Sequence, residues 1–128
     1  MIVLDTHSLL WWVSEPGQLG RGARRELSAA RRIGVSAISC YEIALLAARN
    51  RIQFDRDSGE WLNDALSLPG VELLPLTPAI AVRAAQLGGA FPGDPGDRII
   101  TATAITHEAT LVTKDKRIRD SGAVTTIW

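Results

Sequence analysis

The chain has 128 residues, 46% of them hydrophobic and 22% charged, and its 14 basic and 14 acidic side chains cancel to a formal net charge of zero at pH 7. That composition excludes a disordered chain, and no apolar run approaches the ~20 residues of a membrane span. The start lacks a basic stretch followed by a long apolar segment, so no secretory signal is expected, and the single cysteine, Cys40, suits a reducing cytoplasm.

The first element is a short buried strand, Ile2 to Leu4. It runs straight into Asp5, an aspartate set between two apolar blocks, where an ionised carboxylate is costly. Ser8 to Val13 reads as a helix broken by Pro16-Gly17, and Gly20 to Arg32 as a second, with Ala23, Leu27 and Ala30 on one face. Gly34 is expected to end that helix and Val35 to begin a second strand. Ile38 to Arg49 is strongly helical, and Ser58 to Leu68 gives another helix closed by Pro69-Gly70. Val71 to Leu74 reads as a third strand, and Pro78 as the first residue of a helix to Leu87. After a loop from Gly88 to Gly93, Pro95 to His107 forms a helix apolar round much of its girth, hence buried. Leu111 to Thr113 and Ala123 to Ile127 complete five strands. Strands separated by helices predict one α/β domain spanning residues 1–128, with a parallel sheet covered on both faces.

In such sheets, sites form beyond the carboxyl ends of the strands. Asp5 directly follows strand one, Glu42 falls in the first turn after strand two, Asp94 and Asp97 flank the start of the buried helix, and Asp115 comes two residues after strand four. Each has a structural reading as well. Ser39-Cys40-Tyr41-Glu42 fits a capping box, Asp94-Pro95 an N-cap, Asp97 a helix-dipole acid, Asp5 another cap and Asp115 a turn. Taken together the acids say more. Carboxylates sharing a crevice repel unless a cation sits among them. An oxygen-only donor set suits Mg²⁺ or Mn²⁺, whereas zinc would want His or Cys, and His7 and His107 lack zinc-binding spacing. Twelve of the fourteen basic residues are Arg, clustered at Arg21, Arg24, Arg25, Arg31, Arg32, Arg49 and Arg51. They read either as a phosphate-binding face or as a solvated surface with pairs such as Arg21 or Arg25 with Glu26.

IVLDTHSLLWW, SAISCYEIALL, DPGDRIITATAI and ATLVTKDKRI, in this order and spacing, resemble the PIN-domain ribonucleases, and within them the VapC-type toxins of prokaryotic toxin–antitoxin pairs. The resemblance runs from Ile2 to the last strand. It implies a three-layer α/β/α fold with a central parallel sheet of about five strands, and a Mg²⁺ or Mn²⁺ site that cleaves RNA. Carried over by motif, Asp5, Glu42, Asp97 and Asp115 are the catalytic and metal-binding acids, Asp94 is a further acid of the metal set, and Thr113 and Ser8 are supporting residues. Asp5 and Asp97 would ligate most directly, with Glu42 and Asp115 acting through water or a second ion. Arg98, Lys114, Lys116 and the Arg49/Arg51 pair would offset the repulsion between acids and RNA. The resemblance also implies a cognate antitoxin bound near Trp11, Trp12 and the helix from Gly20, and a homodimer. Gly96 departs from the pattern, standing where many relatives carry a bulky apolar residue; the expected consequence is a looser loop around Asp94.

Rival chemistries fit less well. A dehalogenase-like phosphatase would have a second Asp where His7 stands, and a receiver domain has no place for Glu42. The chain lacks Gly-x-Ser-x-Gly and a phosphate-binding Gly-Lys-Ser/Thr loop. A DNA- or structure-specific nuclease of related fold and a non-catalytic binding module remain as alternatives.

Overall fold

The computed structural model describes all residues, 1–128. Five parallel strands, β1 (Ile2–Leu4), β2 (Ile33–Ser36), β3 (Val71–Leu74), β4 (Thr110–Val112) and β5 (Thr126–Ile127), form one sheet in the order β3-β2-β1-β4-β5. Between them lie α1 (Thr6–Ser14), α2 (Arg21–Ala29), α3 (Ala37–Ala48), α4 (Ser58–Leu66), α5 (Pro78–Ala85), α6 (Pro95–Thr106) and α7 (Lys116–Ser121). This is the expected three-layer α/β/α architecture.

Connection handedness assigns the layers. From β1 the chain steps to β2 and β3 on one side, then returns past β1 to β4 and β5 on the other. Crossovers between parallel strands are right-handed, so reversing the direction of travel moves the connecting helices to the opposite face. The core divides accordingly. Ile2, Leu4, Ile33, Val35 and Val112 pack with Leu9, Leu10, Leu27, Ile43 and Trp61 from α1–α4. Val3 and Leu111, pointing the other way, pack with Ile100, Ala104 and Ile118 from α6 and α7. All three residues of β1 are buried, as expected for a central parallel strand. No helix is long and apolar enough to cross a membrane.

Several boundaries differ from the sequence-based expectations, for identifiable reasons. The helix from Gly20 ends at Ala29 rather than Arg32, because Ala30 turns extended to feed β2. Gly34 is no helix stop; it lies inside β2, where a Cβ would stand 2.6 Å from Leu74 Cδ1 and 3.2 Å from Val3 Cγ2. Glycine is used there for close packing. β4 sits one residue earlier than expected, β5 is only two residues long, and α4 and α5 each end two residues early. An unexpected helix, α7, fills the stretch read as a turn at Asp115; its six residues bury only Ile118, too little to leave an apolar period. Arg21 and Arg25 form no ion pair with Glu26. Arg32, just before β2, instead pairs with Glu72 of β3 at 2.7 Å.

Gly70 sets the entry to β3. Its φ is +81°, and a Cβ there would lie 2.6 Å from the Arg31 carbonyl oxygen, while its own carbonyl accepts from Ile33 N–H at 2.8 Å. Left-handed backbone and a fixed backbone neighbour both penalise a side chain. Gly70→Ala is expected to cost roughly 2 kcal/mol, read as a lower urea midpoint with an unchanged slope.

Candidate active site

Three strands deliver their next residues to one edge. The register Leu4↔Val35 and Leu4↔Val112 places Ser36, the last residue of β2, level with Asp5 and Thr113, which follow β1 and β4. This is also where the strand order reverses, the usual position of a crevice in an open α/β sheet. Asp5 caps α1: its Oδ1 accepts from Ser8 N–H at 2.9 Å, leaving the second oxygen uncommitted to the cap. Behind it the buried Ser8 hydroxyl donates to the Val112 carbonyl at 3.0 Å, which ties the start of α1 to β4. Buried Thr113 accepts from Asp115 N–H at 3.1 Å, and Asp115 caps α7 through the amides of Arg117 (2.8 Å) and Ile118 (3.4 Å).

Glu42 belongs to no capping box. Ser36, not Ser39, caps α3, so Glu42 lies in the second turn rather than the first and its carboxylate is free of the helix start. It accepts instead from the buried Thr6 hydroxyl, whose oxygen is also 3.1 Å from Ser39 Oγ. On the facing helix Asp94 caps α6 as expected, accepting from Asp97 N–H at 3.1 Å, with Pro95 first in the helix. Gly96 does not loosen this turn. It is buried, and an added Cβ would lie 2.8 Å from the Glu42 carboxyl carbon and 3.1 Å from Asp94 Oδ1. The missing side chain is the space Glu42 occupies.

The result is a cleft of about 400 Å³ lined by Asp5, Glu42, Asp94, Asp97 and Asp115. Five carboxylates from separate parts of the chain therefore share one space. They surround it without touching: no three of the His, Cys, Asp or Glu side chains converge closely enough to enclose an ion as they stand. The charge is felt nonetheless. Burial, then repulsion from Asp94, Asp115, Glu42 and Asp5, pushes the Asp97 carboxyl up to about 6. Burial also raises Glu42, against the Thr6 hydrogen bond that favours its ionised form. For Asp115 burial is outweighed by the Arg117 side chain and the two capping amides, which hold it below the ordinary carboxylate range. A set of hard oxygen donors repelling one another across a small gap fits a divalent cation such as Mg²⁺ or Mn²⁺, and the donor chemistry does not suit zinc.

The basic residues divide. Arg49 and Arg51 line the cleft as expected. Arg98 does not; its guanidinium donates to the carbonyls of Pro92 (3.0 Å), Ala84 (3.3 Å), Gly88 (2.8 Å) and Phe91 (3.2 Å), so it clamps the loop before α6. Lys116 pairs with Asp120, and Lys114 lies over the Trp11 ring. His7 also lines the cleft and was not expected there. Its only signal was its position in the same helical turn that presents Asp5. Thr6 likewise has no signal in the sequence, because nothing local links it to Glu42 on another helix.

Asp97 yields a prediction with a definite sign. A folded-state value near 6, against 3.8 ordinarily, means that the folded chain holds more protons than the unfolded one between those values. Stability therefore falls as pH rises through that window and stays low above it. In EDTA, Asp97→Asn is expected to gain roughly 1 kcal/mol at pH 7, discounted for the half-exposed position, and nothing below pH ~4. Adding Mn²⁺ at pH 7 is expected to reverse the order, with the native chain melting higher; thermal denaturation at both pH values reads this directly.

The family model of the PIN domain matches residues 2–123 of the chain. Ribonuclease VapC22 of Mycobacterium tuberculosis (strain ATCC 25618 / H37Rv) is 42% identical over 118 residues, covering 92% of this chain and 89% of that protein. Among solved structures, a toxin–antitoxin complex from Klebsiella pneumoniae superposes with a TM-score of 0.70 at 24% identity, over 98% of this chain and 97% of that one. VapBC2 from Rickettsia felis, bound to a DNA fragment from its promoter, gives 0.73 at 18% identity, over 99% and 98%. Those two likenesses carry the fold alone. With the strand order, the acid-lined cleft and a sequence match over nearly its whole length, the chain belongs to the PIN-domain family.

Proposed function

We propose that residues 1–128 work as one domain, a metal-dependent endoribonuclease that hydrolyses RNA phosphodiester bonds as the toxin of a toxin–antitoxin pair. The observation that carries this reading is the meeting of Asp5, Glu42, Asp97 and Asp115, with Asp94, around one cleft at the strand-order reversal. The 42% identity to a protein named a ribonuclease supports the choice of RNA.

Asp5 and Asp97 would hold Mg²⁺ or Mn²⁺ directly, with Glu42 and Asp115 acting through water or on a second ion and Asp94 at the rim. A divalent ion held there would supply positive charge at the scissile phosphate and lower the pKa of an attacking water. The chain's own groups do the remaining work. Ser8 and Thr113 fix the edge from which Asp5 and Asp115 project, and Thr6 orients Glu42. Arg49 and Arg51, exposed at the cleft wall, draw phosphates toward a site that would otherwise repel them.

The toxin–antitoxin complexes among the structural neighbours support a protein antitoxin as partner, and the single cysteine, Cys40, suits work in the cytoplasm. Trp11 and Trp12 are half-buried against the core, which leaves part of each to an antitoxin bound near them. Exposed Leu73, Leu76 and Val82 offer apolar surface to a second copy of the chain.

Incubating the purified chain with single-stranded RNA and with DNA of matching sequence tests the reading. Cleavage of RNA is expected with Mn²⁺ or Mg²⁺ and none in EDTA. Asp5→Asn is expected to lower the rate by at least about a hundredfold while keeping the far-ultraviolet circular dichroism of the native fold. Metal-independent cleavage, DNA cutting in preference to RNA, or full turnover by a folded Asp5→Asn chain would each refute it.

A further inference from the structure

Among the polar residues of the cleft, His7 alone has no part in the chemistry above. His7 stands two residues beyond Asp5, exposed, and lines the same cleft as the acids and the Arg49/Arg51 pair. Its ring leans on Trp11, one helical turn further along α1, with centroids 5.5 Å apart and planes at 46°. Trp11 in turn meets Trp128 edge-on at 5.7 Å and 63°, and Lys114 Nζ lies 5.8 Å from the Trp11 ring centroid. Trp128 is locked in place by a glycine notch. A Cβ on Gly20 would stand 2.6 Å from Trp128 Cδ1, and one on Gly22 3.2 Å from its carbonyl carbon.

These contacts make a braced row of aromatic rings whose free end opens beside the acids. Unpaired bases stack on aromatic faces, histidine included, and such stacking tolerates any base because every base has a π-face. Charge at the cleft is complementary in kind. Arginines are available to phosphates, and an aromatic ring is available to a base. A ligand role for His7 fits less well, since the carboxylate oxygens of the cleft select a hard cation, which imidazole suits poorly.

We propose that His7 is a positioning residue for single-stranded RNA. An unpaired nucleobase adjacent to the scissile phosphate stacks on its imidazole, with Trp11 behind, and so seats that phosphate over the acids. The inference rests on the ribonuclease reading given above.

The test uses the full chain with Mn²⁺ and a short single-stranded RNA that it cuts, together with a series carrying one abasic nucleotide at each position around the cut. For the native chain, one abasic position next to the cut is expected to raise KM about tenfold with kcat little changed. His7→Ala is expected to raise KM on the intact RNA by a similar factor and to lose the distinction between intact and abasic RNA. His7→Phe is expected to restore both, with an unaltered pH profile, because phenylalanine stacks but carries no proton. The proposal is overturned if His7→Ala keeps the native KM, if it still discriminates against the abasic RNA, or if His7→Phe fails to rescue. Should His7→Ala not fold, the abasic series on the native and His7→Phe chains decides. If the native chain cuts no RNA, the ribonuclease reading fails by itself. Stacking is then judged from equilibrium binding of intact and abasic RNA to the native chain, equal affinities overturning it.

Discussion

Everything at the site depends on β1 being held in register between β2 and β4. Leu4 pairs with Val35 on one side and Val112 on the other, so the residues that follow emerge at a common height. The apolar burial of Ile2, Val3 and Leu4 secures that register, because slipping by one residue would draw the Asp5 carboxylate into the buried part of the sheet. The same strand marks where the chain reverses direction across the sheet, and the reversal sends α1–α4 to one face and α6 and α7 to the other. α3 and α6 then meet across the carboxyl edge, close enough for Gly96 to face the Glu42 carboxylate.

Structural and functional readings of the acids, which compete in the sequence, coincide in the fold. Asp5, Asp94 and Asp115 are all N-caps, of α1, α6 and α7. A cap engages carboxylate oxygen with backbone N–H and benefits from the helix dipole, so part of the cost of gathering negative charge is offset locally. Glu42 and Asp97 cap nothing, and they are the two acids whose carboxyls are pushed up by burial and neighbouring charge. The electrostatic strain is thus concentrated on two side chains that face each other from α3 and α6. A bound cation would relieve it there most.

Local signals were readable where the physics is local. β1 and β3 have the expected bounds, and Asp94-Pro95 opens α6 as the cap-plus-proline pattern predicts. Short-range ambiguity explains the misreading of Glu42: Ser36 and Ser39 can each cap a helix, and only the end of β2 decides between them. Gly34 looked like a helix stop because its reason, the approach of Leu74, lies forty residues away. Arg98 looked available to RNA because its four carbonyl partners come from a loop and a helix end with no sequence mark. His7 carries no metal spacing in the sequence, and its position beside Asp5 matters only once the cleft exists.

On the proposed reading, a divalent cation binds among these carboxylates, held directly by Asp5 and Asp97. Anomalous scattering from crystals of the native chain grown with Mn²⁺ tests it without any assumption about substrate. The expected result is a peak within about 2.0–2.6 Å of oxygens from both Asp5 and Asp97. A well-diffracting crystal with manganese elsewhere, or with none between those two side chains, would contradict it.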